Sequence, residues 1–168
     1  MKKNQFLIFA FSAFLLIACK KEEGPVGPQG LQGETGNANV QSQIITVLPS
    51  DWDDEGTWYS AIMPCDLITQ EIQESGAVMA YQRGLDPSVY TALPVSAVFI
   101  GDTVTTHVGF EHTVNEVYFF IQAAEGVTPQ PGERTYKVVA IESSGLIANP
   151  DVNLYDYEEV KKTFDLAE

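Results

Sequence analysis

A hard cation such as calcium asks for several oxygen ligands at close, regular spacing. Residues 51–56, Asp-Trp-Asp-Asp-Glu-Gly, supply such oxygens at Asp51, Asp53 and Glu55, with a glycine next. That order copies the first six positions of a helix-flanked calcium loop. The copy then breaks down, because the twelfth position, where a bidentate glutamate belongs, is Ile62, and Thr57 to Met63 reads as a strand. Two readings remain, a calcium site of another kind on Asp51, Asp53 and Glu55, or an acidic solvated loop; no other cofactor is implied. His107 and His112 bracket Glu111 but stand five residues apart across a strand end. A zinc site needs three or four converging donors, and the spacing offers no third.

Aromatic rings are the other chemistry on offer. Exposed rings stack on flat apolar faces such as those of sugars, and loops on a rigid scaffold commonly carry binding. Trp52, Trp58, Tyr59 and Tyr90 are the candidate ligand-binding residues. Trp52 is the first choice because it lies among acids just ahead of a strand, whereas Trp58 is expected in the core. Cys65, between Pro64 and Asp66, has no neighbouring base or cation to activate it and reads as a small buried filler. The sequence holds no nucleophile elbow, phosphate-binding glycine loop or Ser/His/Asp arrangement, so the expectation is that the chain is not an enzyme.

The elements that position these residues are strands. Short apolar runs recur between glycine and proline turns: Ile44 to Leu48, Thr57 to Met63, Gly76 to Arg83, Val95 to Ile100, Thr103 to Phe110, Val117 to Gln122 and Arg134 to Ile141. Alternation puts Trp58, Ser60 and Ile62 on one face, and Val78 and Ala80 opposite Met79 and Tyr81. Gly101-Asp102 suits a hairpin turn, since both residues tolerate positive φ. Val117 to Gln122 is apolar on both faces and belongs at a sheet centre. Seven strands of this kind predict an all-β fold, an antiparallel β-sandwich of immunoglobulin-like architecture, over residues 40–168. Residues 67–75 read as a short helix ended by Gly76. A C-terminal helix is predicted from the capping-box spacing of Asp156 and Glu159, the staple spacing of Tyr155 and Val160, and the stripe Tyr157, Val160 and Phe164. It is expected to dock on the sandwich.

The other end of the chain describes an address. Lys2 and Lys3 precede an apolar run of 12 residues, Phe6 to Ile17, too short to span a bilayer, which takes ~20 residues. The run ends in Leu16-Ile17-Ala18-Cys19. Residues 1–18 are therefore read as a lipoprotein signal peptide, with Cys19 the lipidated residue of the mature chain; two or more acyl chains make a lasting anchor. Losing Lys2 and Lys3 leaves 7 basic against 23 acidic residues, a net charge of −16. So acidic a chain does not grip nucleic acid or anionic lipid by charge, and only the lipid would hold it to a membrane. Cys65 is then the sole remaining thiol, which excludes an intrachain disulfide.

Residues 19–39 read as linker. Glycine returns every third residue from Gly24 to Gly36, the compositional mark of a collagen helix. Five triplets are few, so a solvated spacer reaching roughly 40 Å and a monomer are expected, with a trimer as the alternative.

The lipobox at Cys19, with Lys20-Lys21-Glu22-Glu23 behind it, the triplets, the stretch from Met63 to Arg83 and the terminal helix segment Leu154 to Phe164 together resemble a set of Bacteroidota surface lipoproteins. That resemblance implies an outer-membrane, lipid-anchored protein at the cell surface carrying a sandwich domain, and it carries over no catalytic residue. Two functions are in view: a non-catalytic sandwich for adhesion, assembly or binding of a protein or glycan ligand, and a glycan-binding accessory or hydrolytic surface enzyme.

Overall fold

The computed structural model describes residues 39–97 and 105–166. The signal peptide, Cys19, the glycine triplets and the Gly101-Asp102 turn lie outside the described residues. Within them the chain is the predicted all-β sandwich, two antiparallel sheets packed face to face. The strands are β1 (Val40–Val47), β2 (Asp53–Asp54), β3 (Trp58–Pro64), β4 (Ala77–Arg83), β5 (Tyr90–Ala92), β6 (Val95–Ala97), β7 (Thr106–Thr113), β8 (Glu116–Ala123) and β9 (Arg134–Ile141). One sheet has the order β1-β9-β4-β5 and the other β2-β3-β8-β7-β6. Helices α1 (Gln70–Ser75), α2 (Ser143–Ala148) and α3 (Tyr157–Phe164) complete it. No helix among the described residues is long and apolar enough to cross a membrane.

Alternation along the strands decides which side chains meet. Ile45 and Val47 of β1, Val78 and Ala80 of β4, Val117, Phe119 and Ile121 of β8, and Tyr136 and Val138 of β9 fill the space between the sheets. Phe119 and Tyr136 stack across it with ring centroids 3.9 Å apart. Burial pushes the Tyr136 phenol well above its ordinary pKa, because the charged form would stand in apolar surroundings. Cys65 is buried in the same core.

The four-stranded sheet is also covered on its other side. Val40, Met79, Tyr81, Val139 and Ile141 point away from the sandwich and meet Tyr157, Val160 and Phe164 of α3. Burying each of those helix side chains is worth about 1.5–3 kcal/mol. Lys137 lies under the helix almost without exposure, its Nζ donating to the Tyr157 hydroxyl at 2.8 Å and standing 5.8 Å above the Tyr90 ring. Tyr81 donates its hydroxyl to the Leu154 carbonyl at 2.7 Å, tying down the approach to the helix.

Several expectations are corrected in detail. The first strand starts at Val40 rather than Ile44, and β2 and β5, two and three residues long, carry too little pattern to be predicted. The helix expected over 67–75 is α1, begun by Thr69, whose hydroxyl accepts from Ile72 N. Helix α2 was not predicted, since Gly145 is a poor helix former. Packing is close there, since a Cβ would stand 3.2 Å from the Ile141 side chain. Asp156 does cap α3, accepting from Glu158 N and Glu159 N. The reciprocal half of the capping box is absent, as Glu159 instead accepts from Asn153 N at 3.0 Å. The staple is absent too, for Tyr155 is 70% exposed while Val160 is fully buried.

Candidate functional site

The outer face of the five-stranded sheet is built by three strands in register. Ile62, Tyr118 and Glu111 lie in one row across β3, β8 and β7, and Ser60, Phe120 and Gly109 in the next. Glu116 and Thr113 stand beyond the first row, and Trp58 and Gln122 beyond the second. Period-two alternation sends all of these outward, because their neighbours Tyr59, Ala61, Val117, Phe119, Ile121, Val108 and Phe110 face the core. The result is a groove of about 640 Å³ lined by Trp58, Ile62, Tyr118 and Phe120, with Glu111, His112, Thr113, Glu116, Thr57 and Gln122 around them. That is the size range of small-molecule sites.

Its walls are set at angles. Trp58 lies 6.2 Å from Tyr118 at 55° and 6.5 Å from Phe120, edge to face at 86°. Phe120 lies across Gly109 so closely that any Cβ there would fall among its ring carbons. Glycine at this position is what lets the ring lie down over β7. Among the described residues the Glu111 and Glu116 carboxylates have no hydrogen bond or ion pair, and both residues are exposed. His112 is half-buried; its Nδ1 donates to Gln73 Oε1 of α1 at 2.9 Å, and burial lowers its pKa.

The residues singled out in the sequence fare unequally. Trp52 is not an exposed platform; it is 6% exposed, part of the inter-sheet core, and its Nε1 has no hydrogen-bond partner. Trp58, expected in the core, is instead the groove's wall. Tyr59 is half-buried against the inter-sheet core. Tyr90 packs on Tyr157 at 4.7 Å, on the opposite sheet. The aromatic partners Tyr118 and Phe120 were missed. Their signal was present in Val117 to Gln122, apolar on both faces, but a second apolar face reads equally as one covered by protein.

The acids at 51–56 are not brought together. Asp51 Oδ2 accepts from Leu48 N at 2.9 Å, Glu55 Oε1 accepts from the Ser60 hydroxyl at 3.0 Å, and Asp54 Oδ1 accepts from Gly56 N at 2.7 Å. Asp53 sits in the edge strand β2, paired with Ser60. These groups serve the turn into β3, and no cluster of three or more His, Cys, Asp or Glu side chains fit to hold a metal exists among the described residues. His107 and His112 point to opposite faces of β7, His107 pairing with the Ser96 hydroxyl at 2.6 Å. No family model matches the chain, and no curated protein or solved structure matches it either.

Proposed function

We propose that this chain is a non-catalytic, lipid-anchored outer-membrane protein of the cell surface whose β-sandwich binds glycan in the groove on its five-stranded sheet. The observation that carries the reading is the asymmetry of the two sheets. The four-stranded sheet has its outer apolar face covered by α3, while the five-stranded sheet leaves Trp58, Tyr118 and Phe120 around open space. Aromatic rings half-open to water and bordered by polar groups are the means by which proteins stack on sugar rings. Glu111 and Glu116 stand exposed to water at the rim, and no carboxylate lining the groove is enclosed by its walls, which favours binding over hydrolysis. The Cys19 lipobox and the spacer behind it support placement at a membrane surface.

The test uses the full-length chain in detergent, immobilised and offered a panel of soluble polysaccharides. At least one should be retained, and Trp58→Ala should weaken retention roughly tenfold or more, since loss of a stacking ring in a desolvated site costs about 2 kcal/mol. No retention above the Trp58→Ala level removes the reading, and release of shortened chains replaces it with the hydrolase. In cells, Cys19→Ser should move the protein out of the membrane fraction.

A further inference from the structure

The groove's charge narrows the glycan class. Its lining contains two carboxylates, Glu111 and Glu116, and no lysine or arginine. Both carboxylates are exposed and without a partner among the described residues. Register places Glu111 directly across from Tyr118, and Glu116 two positions before it on the same face. Negative charge is thus set beside an aromatic ring whose own face attracts cations. Over the sequence as a whole the same sign prevails, 23 acidic residues against 9 basic. An anionic polysaccharide meets repulsion at close range and at a distance; a neutral one leaves the two carboxylates without an ionic partner.

A cationic peptide would satisfy the charge but not the backbone. Extended peptides are read chiefly by adding a strand to a free sheet edge. The groove's central strand, β8, is paired on both sides, by β3 and β7; β3 and β7 meet a further strand only at Tyr59 and Ser60 and from Thr106 to Val108, and a peptide strand added to either edge would lie beside the sheet, not over the ring faces on it. What the groove offers is ring faces and side-chain acceptors, which suit linked sugar rings.

Resting on the glycan reading above, we infer that the groove selects amino sugars: glycans with free, protonated primary amines, whose rings pack on Trp58, Tyr118 and Phe120 while the ammonium groups meet Glu111 and Glu116.

Binding of the full-length chain to two oligosaccharides of one backbone separates this from the broader proposal. The probes are a fully deacetylated β-1,4-linked glucosamine oligomer and its N-acetylated counterpart. The deacetylated form should bind roughly five- to tenfold more tightly at low ionic strength, as two partly exposed charge pairs allow, and the margin should shrink with added salt. The double variant Glu111→Gln/Glu116→Gln should lose the margin while keeping its affinity for the N-acetylated oligomer. Glu125→Gln, an exposed acid outside the groove, should change neither. Equal affinity for the two oligomers overturns amino-sugar selection and leaves glycan binding standing; failure to bind either overturns both. An oligolysine that competes as well as the amino-sugar oligomer, with the same dependence on Glu111 and Glu116, also overturns it, by making charge alone the determinant.

Discussion

At the scale of single residues, Gly109 decides whether the groove exists. Phe120 occupies the volume that any side chain at 109 would need. Gly109→Ala is expected to lift the ring off β7 and to destabilise the domain by about 1–3 kcal/mol, the range for overpacking; urea denaturation measures the stability. The same variant should bind glycan less well than its stability loss accounts for, since Phe120 forms a wall with Trp58. Unchanged stability and unchanged binding together would mean that Phe120 has another place to go. The two tryptophans explain why single residues were the hardest part to read. Acidic neighbours made Trp52 look solvated, yet the 3-10 turn at Pro49–Asp51 and the short β2 fold it back into the core. Trp58 alternates correctly with Tyr59, but alternation assigns faces without saying which face meets the other sheet. Only the partner sheet settles that.

Elements were more legible, because periodicity and turn chemistry act locally. β4 separates Val78 and Ala80 from Met79 and Tyr81 as its pattern requires, and α3 buries the stripe Tyr157, Val160 and Phe164. What escaped was set by tertiary contact: β5 exists because β4 offers it an edge, and α2 because Gly145 fits closely against β9. One tie between elements has a pH signature. His112 of β7 donates to Gln73 of α1, and burial holds its pKa below the ordinary value of 6.5. The folded state therefore takes up a proton less readily than the unfolded one, and stability is lost as pH falls below about 6.5 towards the lowered folded value. The urea midpoint should drop between pH 7.5 and pH 5.5, and His112→Gln, which cannot titrate, should drop less over the same interval. Equal drops in both proteins would place the pH dependence in other groups.

For the whole molecule, the sandwich follows from strand count and spacing, whereas the unequal treatment of its two outer faces does not. Coverage of one face depends on where the terminal helix docks, which its stripe cannot specify. Ending the chain before Asn153 removes Tyr157, Val160, Phe164 and Leu166, all buried, and bares Met79, Tyr81, Val139 and Ile141. At about 1.5–3 kcal/mol for each lost side chain, the loss rivals the whole stability of an ordinary domain, about 5–15 kcal/mol. The truncated chain should fail to show a cooperative melt and should bind a hydrophobic dye; a cooperative melt near that of the intact chain would show that the helix is an accessory.

The register of β1 bears on mechanics. Asn39, the first described residue, lies beside Asp66, Leu67 and Thr69, just past the end of β3, while Trp58 begins β3 at the opposite end. Under the proposed function, with the chain anchored ahead of Asn39 and a fixed glycan held at Trp58, the domain would be pulled lengthwise along its strands. β1 pairs antiparallel with β9 over eight residues, from Val40 with Ile141 to Val47 with Arg134. A lengthwise pull shears this ladder, so its bonds share the load at once instead of parting one after another from the end. Under the proposed anchoring and binding, the first strand of the domain is thus loaded in its strongest direction.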